Sequence, residues 1–195
     1  MTFQDVIGHR TLVSLLSRAI AGNALPPSLI LAGASGVGKR LVAGAVAQAV
    51  NCLAPRRLPS PPSDRRTVIE YDACGACAAC ARIARGVHPD VVVIEPGENG
   101  SIKIDSIREL IDRVGYRPFE GRRRAVIIDD ADALVAAAQN ALLKTLEEPP
   151  SASIFMLITA RPDMLLPTVR SRCPHLRFQP LGPRSEERRV GKECA

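Results

Sequence analysis

Apolar residues along the 195-residue chain fall into two rhythms: short unbroken runs, and stripes that return every three or four positions. The stripe Leu12, Leu15, Leu16, Ala19 and Ile20 predicts a helix from Thr11 to Ala21, closed by Gly22-Asn23 and preceded by a short apolar loop, Asp5-Val6-Ile7-Gly8. Leu29 to Ala32 reads as a strand, and Leu41, Val42, Ala45, Val46 and Ala49 form a second helical face. Beyond Pro89 the alternation resumes. Val91 to Ile94 reads as a fully buried strand, Ile104, Ile107, Leu110, Ile111 and Val114 as an amphipathic helix, and Ala125 to Ile128 as a further strand. A helix over Leu134 to Glu148 is stopped by Pro149-Pro150. After it come a buried strand at Ile154 to Ile158, a turn at Pro167 to Arg170 and an edge strand at Leu176 to Phe178. Strands alternating with helices predict an α/β fold in which helices flank a parallel sheet.

The first strand and its helix are joined by Gly33-Ala-Ser-Gly36-Val-Gly38-Lys39-Arg40. Gly33, Gly38 and Lys39 meet the phosphate-loop template, in which backbone N–H groups cradle phosphate oxygens and the lysine reaches the terminal ones, and Gly36 adds to the glycine content. The template then asks for a hydroxyl to ligate Mg²⁺, and here stands Arg40, which offers no lone pair to a metal. The strand ending at Ile128 delivers Asp129, Asp130 and Asp132. An acid-tipped strand is the usual partner of such a loop, its first acid holding Mg²⁺ and its second polarising the attacking water. Asp130 is a methylene shorter than the glutamate that normally stands second. Thr159, at the tip of the next strand, is placed to contact a γ-phosphate. The loop is thus expected to hold phosphate better than it can organise hydrolysis.

Residues 51–90 change character. Cys52 precedes a span rich in Pro, Arg and Ser, and Cys74-Gly-Ala-Cys77-Ala-Ala-Cys80 follows it. In a regular helix the Cα atoms of Cys74 and Cys80 would be about 9 Å apart, whereas thiolates on one zinc sit about 4 Å from each other. The backbone must turn around the metal, and Gly75 helps it do so. Four sulphur ligands with no acid or base beside them describe a closed, structural zinc site. The fourth ligand is Cys52 by preference, since a four-cysteine site is common, with His88 as its rival. Pro59 to Ser63 then reads as a surface loop within the module.

Hydrophobic content is 46%, no run approaches eighteen apolar residues, and Met1-Thr2-Phe3-Gln4-Asp5 lacks a signal-peptide layout. The expectation is a soluble, cytoplasmic protein with no membrane partner, whose cysteines are thiols or metal ligands. The formal charge is +6. Arg184 to Cys194 follows a Pro/Gly break, has no apolar rhythm and resembles the translation of a sequencing adapter, so residues 181–195 are expected to be foreign to the fold. Four basic and three acidic residues of that tail leave +5 on the remainder, and a four-thiolate zinc site lowers the balance further. That is a weak footprint for direct DNA binding. Arg122-Arg123-Arg124 reads as a solvated strand entrance.

The phosphate loop, the cysteine module, Asn140-Ala-Leu-Leu-Lys-Thr-Leu-Glu-Glu-Pro-Pro150 and Leu166-Pro-Thr-Val-Arg-Ser-Arg-Cys173 together resemble the AAA+ subunits of the bacterial DNA polymerase III clamp loader, over about residues 3 to 181. Lys39-Arg40 and Asp129-Asp130 depart from the complete Gly-Lys-Thr/Ser and Asp-Glu of the gamma/tau ATPase subunits. In this they are similar to delta-prime, which does not hydrolyse ATP. The resemblance implies an AAA+ P-loop domain over residues 1–180 with a zinc insertion at 51–90, in a five-subunit ring with gamma/tau and delta that places the β sliding clamp on primed DNA. It implies that Arg172 is an arginine finger acting on a neighbour's nucleotide. It also implies structural Zn²⁺, a doubtful need for ATP and Mg²⁺ in the chain's own loop, and a lid and collar domain not contained in this sequence. Two further readings stay open on the residues: an active ATPase using Lys39, Asp129, Asp130 and Thr159, and a zinc-dependent DNA-binding module.

Overall fold

The computed structural model describes residues 1–58 and 70–180. The expected loop at Pro59 to Ser63 and the expected foreign tail lie outside the described residues. In chain order, a 3₁₀ turn (Phe3–Asp5) leads into α1 (Arg10–Ala21), β1 (Ser28–Gly33) and α2 (Lys39–Asn51). A small module follows, made of β2 (Arg56–Leu58), β3 (Glu70–Asp72) and α3 (Ala78–Ala84). The chain then runs through β4 (Val91–Ile94), α4 (Ile104–Val114), β5 (Arg124–Ile128), α5 (Ala136–Glu147), β6 (Ser153–Thr159), α6 (Pro167–Arg170) and β7 (His175–Phe178).

The five long-range strands pair in parallel in the order β4-β5-β6-β1-β7, and β2 and β3 form a separate antiparallel pair. Alternation along the strands divides the core. Leu29 and Leu31 of β1 face the same cluster as Leu16 of α1 and Val42, Ala45 and Val46 of α2. Ile30 and Ala32 face the other cluster, with Ile107 and Leu110 of α4, Leu142 of α5 and Val169 of α6. Period-two strands between period-3.6 helices make a three-layer sandwich. Among the described residues no helix is long and apolar enough to cross a membrane.

Three expectations change. β4 is an edge strand, with Val92 buried but Val93 39% exposed, because only β5 flanks it. The helix expected from Leu134 begins at Ala136, since Leu134 instead bridges to Ile102 and a 3₁₀ turn occupies Ala131–Ala133. The entrance to β5 is not solvated at Arg124, which is 8% exposed and paired with the wholly buried Asp90. The β2–β3 pair was not foreseen, as Arg56-Arg57-Leu58 carries no alternation to announce a strand.

Candidate functional site

A parallel sheet collects its chemistry at the carboxyl ends of its strands, where the loops leave for the crossover helices. Gly33 closes β1 so near β7 that an added Cβ would stand 2.5 Å from the Phe178 carbonyl oxygen. Gly36 and Gly38 have φ of +79° and +95°, a conformation glycine adopts without penalty, and Gly38 caps α2. The Lys39 Nζ donates to the carbonyl oxygens of Gly33 and Ala34, both at 2.7 Å, so the ammonium is folded back on its own loop. Burial lowers its pKa, and the charges of Asp130, Asp129 and Asp132 offset this only in part. His9, which the sequence reading passed over, braces the loop from α1: its Nε2 lies 3.0 Å from the Val37 carbonyl oxygen and its ring packs edge-on to Phe178.

β6 lies between β1 and β5, so the acids of β5 face the loop across Thr159. The Arg40 Nη1 donates to Asp129 Oδ2 at 2.8 Å and also to Glu95 Oε1, joining the acid after β5 to the residue after β4. Burial alone would weaken the guanidinium's hold on its proton, but the hydrogen bonds and charges of Glu95 and Asp129 outweigh it and raise the pKa. Glu95 escaped the sequence reading, although its place immediately beyond an apolar strand is the signal that marks such residues. Asp130 is exposed at φ +49°, which an aspartate tolerates better than most side chains. Thr159 is fully buried, and its hydroxyl donates to Asp132 Oδ1 at 2.8 Å. Burial would raise the pKa of Asp132, but Thr159 and Arg161, whose Nε donates to Oδ2 at 3.0 Å, hold the carboxyl below its usual value.

The cysteines assemble from three pieces of chain. Cys52 follows the last turn of α2, Cys74 sits on the turn made by Gly75 at φ +73°, and Cys77 and Cys80 open α3. Their sulphurs all lie within 4.8 Å of one another, a set that could hold one metal ion. The Cys74 N–H donates to Cys52 Sγ at 3.2 Å and the Cys77 N–H to Cys74 Sγ at 3.3 Å, contacts that favour thiolates. Burial works against ionising Cys77, but the N–H groups of Cys80 and Leu53 outweigh it and bring the thiol down to about 6. His88 is outside the cluster. Its Nδ1 accepts from the Asp90 N–H at 3.1 Å and its Nε2 lies 3.4 Å from Glu120 Oε1, so both ring nitrogens are engaged elsewhere.

Arg172 follows α6, about 32% exposed. Its Nε and Nη2 both reach Glu147 Oε1, the former at 2.7 Å, and its Nη1 donates to the Thr168 carbonyl oxygen at 2.7 Å. The neighbouring Cys173 is buried, which pushes its thiol up to about 11. Loop, acids and Arg172 thus stand at strand and helix ends of one layered body, while the cysteines form a separate module.

Residues 8–182 match the family model described as DNA polymerase III, delta subunit. The chain is 32% identical over 194 residues to DNA polymerase III subunit gamma/tau of Mycobacterium tuberculosis, covering 99% of this chain and 31% of that protein. It is 38% identical over 145 residues to DNA polymerase III subunit delta' of Pseudomonas aeruginosa, covering 74% of this chain and 40% of the relative. The chain therefore spans less than half the length of either. Among solved structures, a gamma subunit-related protein of Thermotoga maritima aligns with a TM-score of 0.58 at 26% identity, over 93% of this chain and 49% of that one. A RuvB mutant from the same organism aligns at 0.57 and 15% identity, over 97% and 52%, a likeness of fold alone.

Proposed function

The chain belongs to the DNA polymerase III delta-subunit family, and on that premise we propose that it is a delta-prime-like clamp-loader subunit that does not hydrolyse ATP. The observation that carries this reading is the Arg40 guanidinium resting between Asp129 and Glu95, where an ATPase would keep its metal. A fixed positive charge satisfies Asp129 without offering coordination sites, so the acid cannot order a metal-bound water. Magnesium, when bound in such loops, supplies charge neutralisation between phosphate oxygens. The cysteine set fits a structural zinc: four sulphurs lie within 4.8 Å of one another and, among the described residues, no carboxylate or histidine belongs to the group. In this reading Arg172 acts on a neighbouring subunit's nucleotide, leaving Glu147 for a phosphate when the ring assembles. The partners are gamma/tau, delta, the β sliding clamp and, through the complex, primed DNA.

A second reading, a gamma/tau-like ATPase, is favoured by the gamma/tau relative aligned over 99% of the chain. Equilibrium binding of a fluorescent ATP analogue, with and without Mg²⁺, separates the two. The delta-prime-like reading expects no gain in affinity from Mg²⁺ for the native chain, and a gain once Arg40→Thr restores a hydroxyl ligand. Magnesium-dependent binding by the native chain that is lost in Lys39→Ala overturns it. For the finger, Arg172→Ala in a loader reconstituted with the whole subunit is expected to lower turnover at that interface by about 10³. Unchanged turnover rejects the role.

A further inference from the structure

At the end of the sheet opposite the phosphate loop, a cavity of about 400 Å³ opens between the last turns of α1 and α2 and the entrance to β5. Ile20, Leu25 and Val50 line it, Tyr71 closes one side, and Arg122 and Arg123 stand at its rim. Among the described residues that line it there is no carboxylate.

The two arginines are held in place by the backbone that carries them. Asp90 accepts hydrogen bonds from the N–H groups of Phe119, Glu120 and Gly121 at 2.7, 2.8 and 2.8 Å. The buried Asn51 accepts from the Arg123 N–H at 3.0 Å, and it packs so near Gly121 that an added Cβ there would stand 2.7 Å from Asn51 Oδ1. Arg123 spends one nitrogen on Asn23 Oδ1 at 2.7 Å. Arg122 is exposed and, among the described residues, has neither a hydrogen-bond partner nor an ion-pair partner. Arg57 adds a third charge, its guanidinium 6.0 Å from the centre of the Tyr71 ring. Consecutive arginines beside an apolar floor leave a positive rim that favours an anionic partner.

We propose that this cavity is a docking site for an acidic, apolar peptide segment of a partner protein: one large aliphatic or aromatic side chain enters the floor, and carboxylates on either side of it meet Arg122, Arg123 and Arg57. The aliphatic floor decides against a nucleotide. Ile20, Leu25 and Val50 offer the donor and acceptor edges of a base no partner on the floor, and the one side-chain carbonyl of the lining, that of Asn23, is already taken by Arg123. Bidentate carboxylate recognition by arginine supplies orientation, and burial of the apolar side chain supplies most of the affinity.

The test is fluorescence anisotropy with the whole chain and a labelled peptide in which Leu-Phe is flanked by aspartates. Binding is expected to weaken as salt rises, to fall about tenfold or more in Arg122→Glu, and to fall comparably when Leu-Phe in the probe becomes Ser-Ser. Arg122 is exposed, so the variant's circular dichroism and Tm are expected to match the native chain. No binding, equal binding by Arg122→Glu, or indifference to the Ser-Ser exchange overturns the proposal. So does displacement of the probe by oligothymidylate as readily as by unlabelled peptide, which makes the surface a nucleic-acid site instead.

Discussion

Asp90 is wholly withdrawn from water, accepts three backbone N–H bonds and faces the Arg124 Nη2 at 3.2 Å. Burial would raise its pKa, but the N–H groups of Glu120, Gly121 and Phe119, and Arg124 beside it, hold the carboxyl below the usual range. A depressed folded pKa means that the stabilisation is complete above the unfolded value, near 3.9, and is lost as pH falls through the folded value. Asp90→Asn is expected to cost about 3–5 kcal/mol in denaturant unfolding, because it leaves Arg124 buried without its counter-charge. It is also expected to flatten the acid limb of the stability curve. The pair Arg172 and Glu147 looks alike on paper, but it is partly exposed, and Arg172→Ala is expected to change stability by less than about 1 kcal/mol. The same guanidinium is structural at Arg124 and available for function at Arg172 because one is dry and the other wet.

The cysteine module is an element without a core of its own. Among the described residues its two strands have three residues each, α3 has seven, and the cluster around Cys52 and Cys80 adds only Ala73 as a buried apolar neighbour. In the proposed reading, a metal held by the four cysteines supplies much of the stability of so small a unit. One zinc per chain is therefore expected by elemental analysis, lost in Cys52→Ala and retained in His88→Ala; the reverse pattern would return His88 to the ligand set. Chelation is expected to melt the module before the sheet, seen as increased amide exchange at Ala73 to Ala84 with β5 and β6 still protected. The spacing of Cys74, Cys77 and Cys80 was enough to announce a cysteine cluster that could hold a metal ion. The fourth position was legible as a preference for Cys52, because four-cysteine sets are common, with His88 as its rival; the path of the chain after α2 brings the Cys52 sulphur to the other three and leaves His88 outside.

At the scale of the whole molecule, the three-layer body rests on β6, whose seven residues are all buried between β1 and β5. Phe155, fully buried at the centre of the α4–α5 side, is the largest such side chain, and Phe155→Ala is expected to cost about 3–5 kcal/mol in two-state denaturant unfolding. A loss well under 1 kcal/mol would mean that the sheet is not the cooperative unit. The strands and helices of the layered body were readable in the sequence, unlike β2, β3 and α3, because burial on one face or both imposes a period of two, of 3.6, or none at all, and each period is local. The glycine-rich turn between β1 and α2 and the cysteine triplet were readable for the same reason: their geometry is set within a few residues. What the sequence left undecided depends on residues far apart in the chain. Glu95 meets Arg40 across 55 positions, Asn51 meets Arg123 across 72 and Arg40 meets Asp129 across 89. No local period reports such a meeting. The crossovers that set the strand order β4-β5-β6-β1-β7 decided it, and with it the meeting of Arg40 with Asp129 and Glu95.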